Sequence, residues 1–317
     1  MLELIVSRLT AEAEGVVGIE LRSAHGLPLP PFTAGAHIDL HLPGGMARQY
    51  SLCNDPRETH RYCLGVGLAA ASRGGSAYLH QQLREGDKVA VSAPRSLFGI
   101  DSSATEHLFI AGGIGITPIL SMIHWCEANQ AVWRLLYCVR SRQRAAYAGL
   151  LSRYGERVTV HADDEHSGAT ADLAGLLGDH ATGAHVYCCG PVPLMDAVAD
   201  AAARAGIHKA SAHFERFNAA PAPLPPNGDK SFVVKFRRSG VSFVVPPDAS
   251  ILQTLEQHGM AWPFSCREGL CRTCEVPLLS GTADHRDSVL SDDERAANTC
   301  LIVCVSRARS DELELDM

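Results

Sequence analysis

Residues 264–275 read FSCREGLCRTCE, which sets Cys266, Cys271 and Cys274 within nine positions of one another. A further pair, Cys300 and Cys304, follows in NTCLIVCVSRA. The loop is rich in Arg, Glu and Gly, too polar for a core, so its thiols call for a metal or for disulfides. The N-terminus MLELIVSRLTAEAEG has no basic segment leading into a long apolar run and a small-residue cleavage site, so no secretory leader is read there. A cytoplasmic location is therefore expected, where the 11 cysteines stay reduced and metal, catalytic or core roles are favoured. With 46% hydrophobic and 20% charged residues the chain is globular, and no run approaches the roughly 18 apolar residues of a membrane span. A net charge of -7 without any Lys/Arg cluster argues against nucleic acid as a partner.

The spacing Cys-x4-Cys-x2-Cys followed by a distant cysteine is that of plant-type [2Fe-2S] ferredoxins, in which four thiolates hold two irons. Cys304 lies 30 positions after Cys274 at the end of an apolar strand and is the expected fourth ligand, with Cys300 as runner-up. Structural zinc pairs a Cys-x2-Cys arm with a second two-ligand arm, whereas here three ligands share one loop, which makes zinc the minor alternative. Glycine and small residues around the loop suit backbone N–H groups that approach cluster sulfurs. Cys53, Cys63, Cys126, Cys138 and Cys188 lack ligand-like spacing and are read as core or surface, and HADDEH (161–166) as a polar loop.

Upstream, the Pro-rich stretch 218–229 reads as an extended linker that separates a C-terminal domain, 230–317, from the rest. From residue 1 to 103, short alternating segments (LELIVSRL, VVGIELRS, HIDLHL, RYCLGVGL, DKVAVSAP) separated by turn clusters predict a small antiparallel barrel. From 104 to 217 the runs HLFIA, VWRLLYCV, RVTVHA and HVYCCG are each followed by a helix-like stretch, the rhythm of an α/β domain with a parallel sheet. After the linker, SFVVKFRRSGVSFVVPP predicts a hairpin, ASILQTLEQHG a short helix and DELELDM a final strand.

Three stretches carry further chemistry. In HLFIAGGIGITPILSMI (107–123) a strand runs into Gly112, Gly113 and Gly115 and then a helix with Thr117 and Pro118 in its first turn. Such a turn presents N–H groups to a pyrophosphate. It departs from G-x-G-x-x-G, with Pro118 at the last position, and a plain tight turn is an equal reading taken alone. YCCGPVPLMDAV (187–198) supplies a second strand end, with Cys189, Gly190 and Pro191, so that two turns at the edge of one sheet outline a dinucleotide crevice. In RQYSLCN and SRGGSAYLH, Arg48 and Arg73 suit a phosphate, Gly74, Gly75 and Ser76 offer donors at a helix start, and Tyr50 and Ser51 suit a flat ring. An ordinary barrel strand with surface arginines is the even alternative.

RQYSL, SRGGS, AGGIGITP, YCCGP, HFERF, the Pro-rich linker, CREGLCRTC and IVCVSRA occur, in this order, along effectively the whole chain. The chain thereby resembles the reductases typified by phthalate dioxygenase reductase and the vanillate O-demethylase reductase subunit. The resemblance implies an N-terminal barrel that binds FMN rather than FAD, a middle domain for NADH or NADPH, and a ferredoxin-like (β-grasp) [2Fe-2S] domain. It implies that these pass electrons to a Rieske-type oxygenase component, in a chain expected to be monomeric. By similarity Arg48, Tyr50 and Ser51 would contact the flavin, and Arg73, Gly74, Gly75 and Ser76 its phosphate. Gly112, Gly113, Gly115, Thr117, Pro118, Gly190 and Pro191 would line the dinucleotide site, with Cys189 near the nicotinamide. In HFERF, Glu215 would take the acid's place and Phe217 that of the aromatic at the flavin face, although an amphipathic edge strand reads the same.

A nicotinamide gives two electrons as one hydride and a [2Fe-2S] cluster takes one at a time, so the flavin must stand between them. The end of the second strand of the middle domain, YCVRSRQRAAY, holds no acid for a ribose hydroxyl and offers Arg140, Ser141 and Arg142, which leaves NADH and NADPH open. Two other functions compete: a self-contained flavin oxidoreductase whose cluster is structural, and a ferredoxin-like carrier without flavin. The oxygenase's aromatic substrate is not written in this chain. Arg267, Glu268 and Arg272, on the rim of the cysteine loop, are the expected docking residues.

Overall fold

Apolar residues at alternate positions make the N-terminal strands one-sided. In β1 (Leu2–Ala13) Leu4 and Val6 are buried, and they meet Ile19 and Leu21 of β2 (Val16–Ser23) across an antiparallel ladder. With β3 (His37–Leu42), β4 (Met46–Ser51), β5 (Tyr62–Gly67) and β6 (Lys88–Val91) they form a six-stranded sheet in the order β4-β3-β6-β1-β2-β5. A bridge between Leu52 and Leu64 joins the two edge strands and closes the barrel, as expected. Strand β4 covers the RQYS stretch, so the barrel-strand alternative for that stretch holds; most of it is only half-buried, which is why its sequence MARQYS is so polar. The coordinates are a computed structural model that describes residues 1–69, 74–218 and 228–317. Arg73 and most of the 218–229 stretch lie outside the described residues.

The middle segment alternates strand and helix as anticipated: β7 (His107–Gly112), α2 (Ile116–Asn129), β8 (Trp133–Val139), α3 (Ala148–Leu151), β9 (Val158–Ala162), α4 (Leu173–Gly178), β10 (His185–Cys189), α5 (Val192–Arg204) and β11 (Ala212–Glu215), with α1 (Gly75–Gln81) preceding them in the barrel. The parallel sheet runs β11-β10-β7-β8-β9. Strand order therefore reverses between β7 and β10, the position at which open α/β sheets bind ligands beyond their carboxyl ends. Both faces are covered, which is why β7 reads as an unbroken apolar run. Phe109 and Ala111 pack toward α2, while Leu108 and Ile110 pack toward α5. Helix α2 is buried nearly all round because Ile119 and Met122 share one core with Phe109 of the sheet and with Ala34, Cys53 and Phe98 of the barrel segment. Burial of such side chains contributes roughly 1.5–3 kcal/mol each. Barrel and sheet are thus one compact unit, Met1–Glu215.

The second unit spans Arg216–Met317. The anticipated hairpin is β12 (Phe232–Phe236) with β13 (Ser242–Val245), and the anticipated last strand, β18 (Glu312–Leu315), lies parallel to β12. β14 (Glu275–Ser280) and β16 (Cys300–Ile302) complete the sheet in the order β13-β12-β18-β14-β16, and β15 (Ala283–Asp284) pairs with β17 (Arg307–Ala308). Helix α6 (Ile251–Gln257) begins at a Ser250/Gln253 capping box and buries Ile251, Leu252 and Leu255 against the sheet. Helix α7 (Asp292–Ala297) starts with a second capping box, Ser291/Glu294. No helix among the described residues is long and apolar enough to cross a membrane.

Candidate active site

The carboxyl ends of β7, β10 and β11 lie in register: Ala111 pairs with Cys189, and Cys189 with Glu215. Residues paired across adjacent strands share a face, so this row turns toward the barrel side of the sheet. There the Ser51 hydroxyl, at the end of β4, donates to Glu215 Oε2 at 3.5 Å. Ser51 is 4% exposed and Cys189 is fully buried. Burial pushes the Cys189 thiol well up, so it is neutral. Burial likewise raises the Glu215 carboxyl to about 8, against the lowering effect of the Ser51 hydrogen bond. Glu215 therefore holds a proton near neutrality.

This has a consequence for stability. The unfolded chain ionises Glu215 above the ordinary carboxylate range while the folded unit keeps it protonated until about 8. Stability of the first unit should fall as pH rises through that window and level off above it. Glu215→Gln is expected to melt higher than the wild type, by a margin that widens from pH 5 to pH 8 in thermal unfolding; an equal margin at both pH values would refute the raised pKa.

The two strand-end turns approach closely. A Cβ on Gly115 would lie 2.1 Å from the Cys189 carbonyl oxygen, and one on Gly112 2.6 Å from Pro191 Cδ. The Gly112–Gly115 turn and the Cys189–Pro191 turn are thus packed backbone to backbone at the switch point. Thr117 differs from expectation in one respect: it is buried, and its hydroxyl donates to the Ile114 carbonyl at 3.0 Å. Pro118 sits in the first turn of α2, where its missing N–H breaks no helical bond.

On the barrel side, Gly74 and Gly75 open α1, and a Cβ on Gly75 would meet Arg48 Cγ at 2.8 Å. Glycine there lets the Arg48 side chain cross the helix start. Arg48 Nη1 donates to the Ala47 carbonyl at 2.8 Å, which holds the guanidinium on β4. The Ser76 hydroxyl accepts from the Ala69 amide at 3.2 Å. Burial raises the phenol of Tyr50 to about 12, with Arg48 opposing. One junction was missed in the sequence: Tyr147 and Thr117 both press on the place where Gly65 of β5 lacks a Cβ, within 2.6 and 2.7 Å. The isolated Gly65 inside a strand was the available signal, since such a glycine marks close backbone approach. Arg140 and Arg142, beyond β8, are exposed; Ser141 is half-buried. Phe217 is exposed and belongs to the second unit.

In that second unit the structure brings Cys266, Cys271, Cys274 and Cys304 together, each at most 9% exposed. Cys271 and then Cys304 donate to Cys266, and Cys304 also to Cys274. The amides of Glu268 and Leu270 point at Cys266 Sγ from 3.3 and 3.4 Å. These bonds pull the Cys266 thiol down to about 2, toward the thiolate that binds iron. Cys300 stays outside the group; burial first, then Glu275, raises its thiol to about 11. No three such side chains among the described residues surround one point as a mononuclear ion requires. A two-iron cluster divides its four thiolates between two ions. Arg272, expected on the rim, is partly exposed and pairs with Glu275 at 2.6 Å and Glu294 at 2.7 Å. Its backbone is left-handed, with a φ of 56°. Phe264 is exposed and carries Arg267 over its ring at 4.0 Å, while Arg267 also binds Glu256.

Residues 234–309 match the family of 2Fe-2S iron-sulfur cluster binding domains, and residues 92–212 the DmmA-like N-terminal domain of dimethylamine monooxygenase subunits. The chain is 45% identical to the phenoxybenzoate dioxygenase subunit beta of Ectopseudomonas oleovorans, over 96% of its own length and 94% of that protein's. It is 42% identical to the vanillate O-demethylase oxidoreductase of Pseudomonas putida, with both chains covered in full. The solved structure of phthalate dioxygenase reductase, a modular structure for electron transfer from pyridine nucleotides to [2Fe-2S], aligns at 39% identity and a TM-score of 0.75 over the whole chain and 98% of its own. The chain belongs to the phthalate dioxygenase reductase family. It is an oxidoreductase with flavin, nicotinamide and [2Fe-2S] modules, and the fold class expected from the sequence stands.

Proposed function

We propose that this oxidoreductase takes hydride from NAD(P)H in the Ser51–Cys189–Glu215 crevice and supplies single electrons, through its cysteine centre, to the oxygenase component of a two-component aromatic oxygenase or O-demethylase. The observation that carries this reading is the Ser51–Glu215 contact, which joins the flavin-type strand of the barrel to the switch-point row of the sheet. An FMN, when bound, supplies the conversion of a hydride pair into single electrons. Arg48, Gly74, Gly75 and Ser76 would cradle its phosphate, and Tyr50 and Ser51 would lie along its ring. Ser51 and protonated Glu215 supply a short polar chain beside the ring, which can hold or move a proton while the buried neutral Cys189 keeps water out. Gly112, Gly113, Gly115, Gly190 and Pro191 would shape the pyrophosphate turn, and so bring the nicotinamide to the ~3–3.5 Å approach that hydride transfer needs. Cys266, Cys271, Cys274 and Cys304 would hold the cluster, with the Glu268 and Leu270 amides tuning it. The domain limits 1–103, 104–217, 218–229 and 230–317, a monomeric state and a cytoplasmic location complete the reading.

Anaerobic titration of the purified protein with NADH tests it. Flavin and iron–sulfur absorption bands should bleach in turn, with electron uptake beyond the pair that a flavin alone holds. A protein prepared anaerobically with iron and sulfide supplied, yet lacking the iron–sulfur band, would refute the assignment.

A further inference from the structure

The end of β8 offers cations and no acid, but the fold supplies acids from elsewhere. The turn after β9, residues 163–166, folds against the turn after β8: the Asp164 amide donates to the Arg140 carbonyl at 3.2 Å, and Arg142 Nε binds Glu165 Oε1 at 2.6 Å. Asp164 also acts on Arg142 through its charge, whereas Asp163 leans toward His161 at 3.6 Å. Arg144 is engaged by Glu14 of the barrel. What a nucleotide would meet here is therefore two arginines, Arg140 and Arg142, balanced by two carboxylates, Asp164 and Glu165. The Arg142 and Glu165 side chains are 61% and 41% exposed, so the pair itself holds weakly and the local charge balance decides what binds. Carboxylates placed there would repel a 2'-phosphate dianion, whereas a neutral ribose hydroxyl meets no such penalty.

We infer that Glu165, with Asp164, is a specificity-determining residue that cancels the Arg140/Arg142 cations and makes the chain select NADH over NADPH. This rests on the reading that residues 140–142 face the adenosine ribose. The test uses the full-length, cofactor-loaded protein. Calorimetry with 2',5'-ADP and with 5'-ADP is run beside steady-state turnover with NADPH and NADH, on the wild type, Glu165→Gln, Glu165→Gln/Arg142→Ala, and the single variants Arg140→Ala and Arg142→Ala. Removing one carboxylate within ~6 Å of a dianion is expected to tighten 2',5'-ADP binding, and to raise NADPH kcat/KM, on the order of tenfold. In Glu165→Gln, 5'-ADP binding and NADH turnover should stay within about twofold of the wild type, and adding Arg142→Ala should cancel the NADPH gain. If the arginine variants weaken nucleotide binding while Glu165→Gln leaves 2',5'-ADP unchanged, this inference fails and the reading of the segment stands. If neither arginine variant alters the binding of either nucleotide, the assignment of residues 140–142 is itself overturned.

Discussion

Cys304→Ser is expected to abolish delivery of electrons from NADH to a one-electron protein acceptor, by about a hundredfold or more, while NADH still bleaches the flavin at the wild-type rate. The reason is geometric. Cys304 is the group that links Cys266 to Cys274, and serine offers an oxygen where the cluster needs a thiolate. Ser51, Cys189 and Glu215 of the proposed nicotinamide–flavin crevice, by contrast, belong to the unit Met1–Glu215. Cys300→Ser is the companion variant. Cys300 interacts with Glu275 and stands apart from the four thiols, so its loss should leave delivery within about twofold. Stopped-flow absorption separates flavin bleaching from acceptor reduction in both. Full acceptor turnover by a folded Cys304→Ser protein would favour the alternative of a self-contained flavin oxidoreductase with a structural cluster. Loss of delivery in Cys300→Ser alone would exchange the two cysteines' roles.

Gly115→Ala is expected to slow NADH-driven flavin bleaching by about a hundredfold while flavin and iron–sulfur content remain intact. Gly115 has a φ of -61°, which any residue adopts, so alanine brings no backbone strain; its cost is steric. The new methyl would sit 2.1 Å from the Cys189 oxygen, 2.5 Å from the Cys189 carbon and 3.0 Å from the Gly190 nitrogen. All three are main-chain atoms, so no side chain can swing away, and the two turns must part. Parting of the order of 1 Å at the switch point misplaces a nicotinamide enough to cost that factor. Gly113→Ala is the contrast: open space surrounds its Cβ position, and only its φ of 54° opposes alanine, at roughly 1 kcal/mol. Wild-type bleaching in Gly115→Ala would show that the close approach is dispensable.

The residues differ in how far they could be read without a structure. Cys266, Cys271 and Cys274 lie on one loop, and their spacing alone limits what they can bind. The runs around β7 and β10 announced themselves because strands buried on both faces must be apolar throughout. Strand β4 was open to two readings, since half-burial left it polar enough to serve equally as a plain barrel strand or as a ligand-contacting stretch. Arg272 reads as a rim charge, and only the fold brings Glu294, 22 positions away, onto it.

By itself the sequence determined the order of the three modules, the cysteine loop and the two glycine turns, because each is specified by neighbours a few positions away, where backbone geometry and local burial suffice. The tertiary structure alone decided the rest: the meeting of Ser51 with Glu215 across 164 positions and the arrival of Glu165 beside Arg142. Those partners are set by which faces of the barrel and the sheets pack together, and no local pattern of residue types encodes that choice.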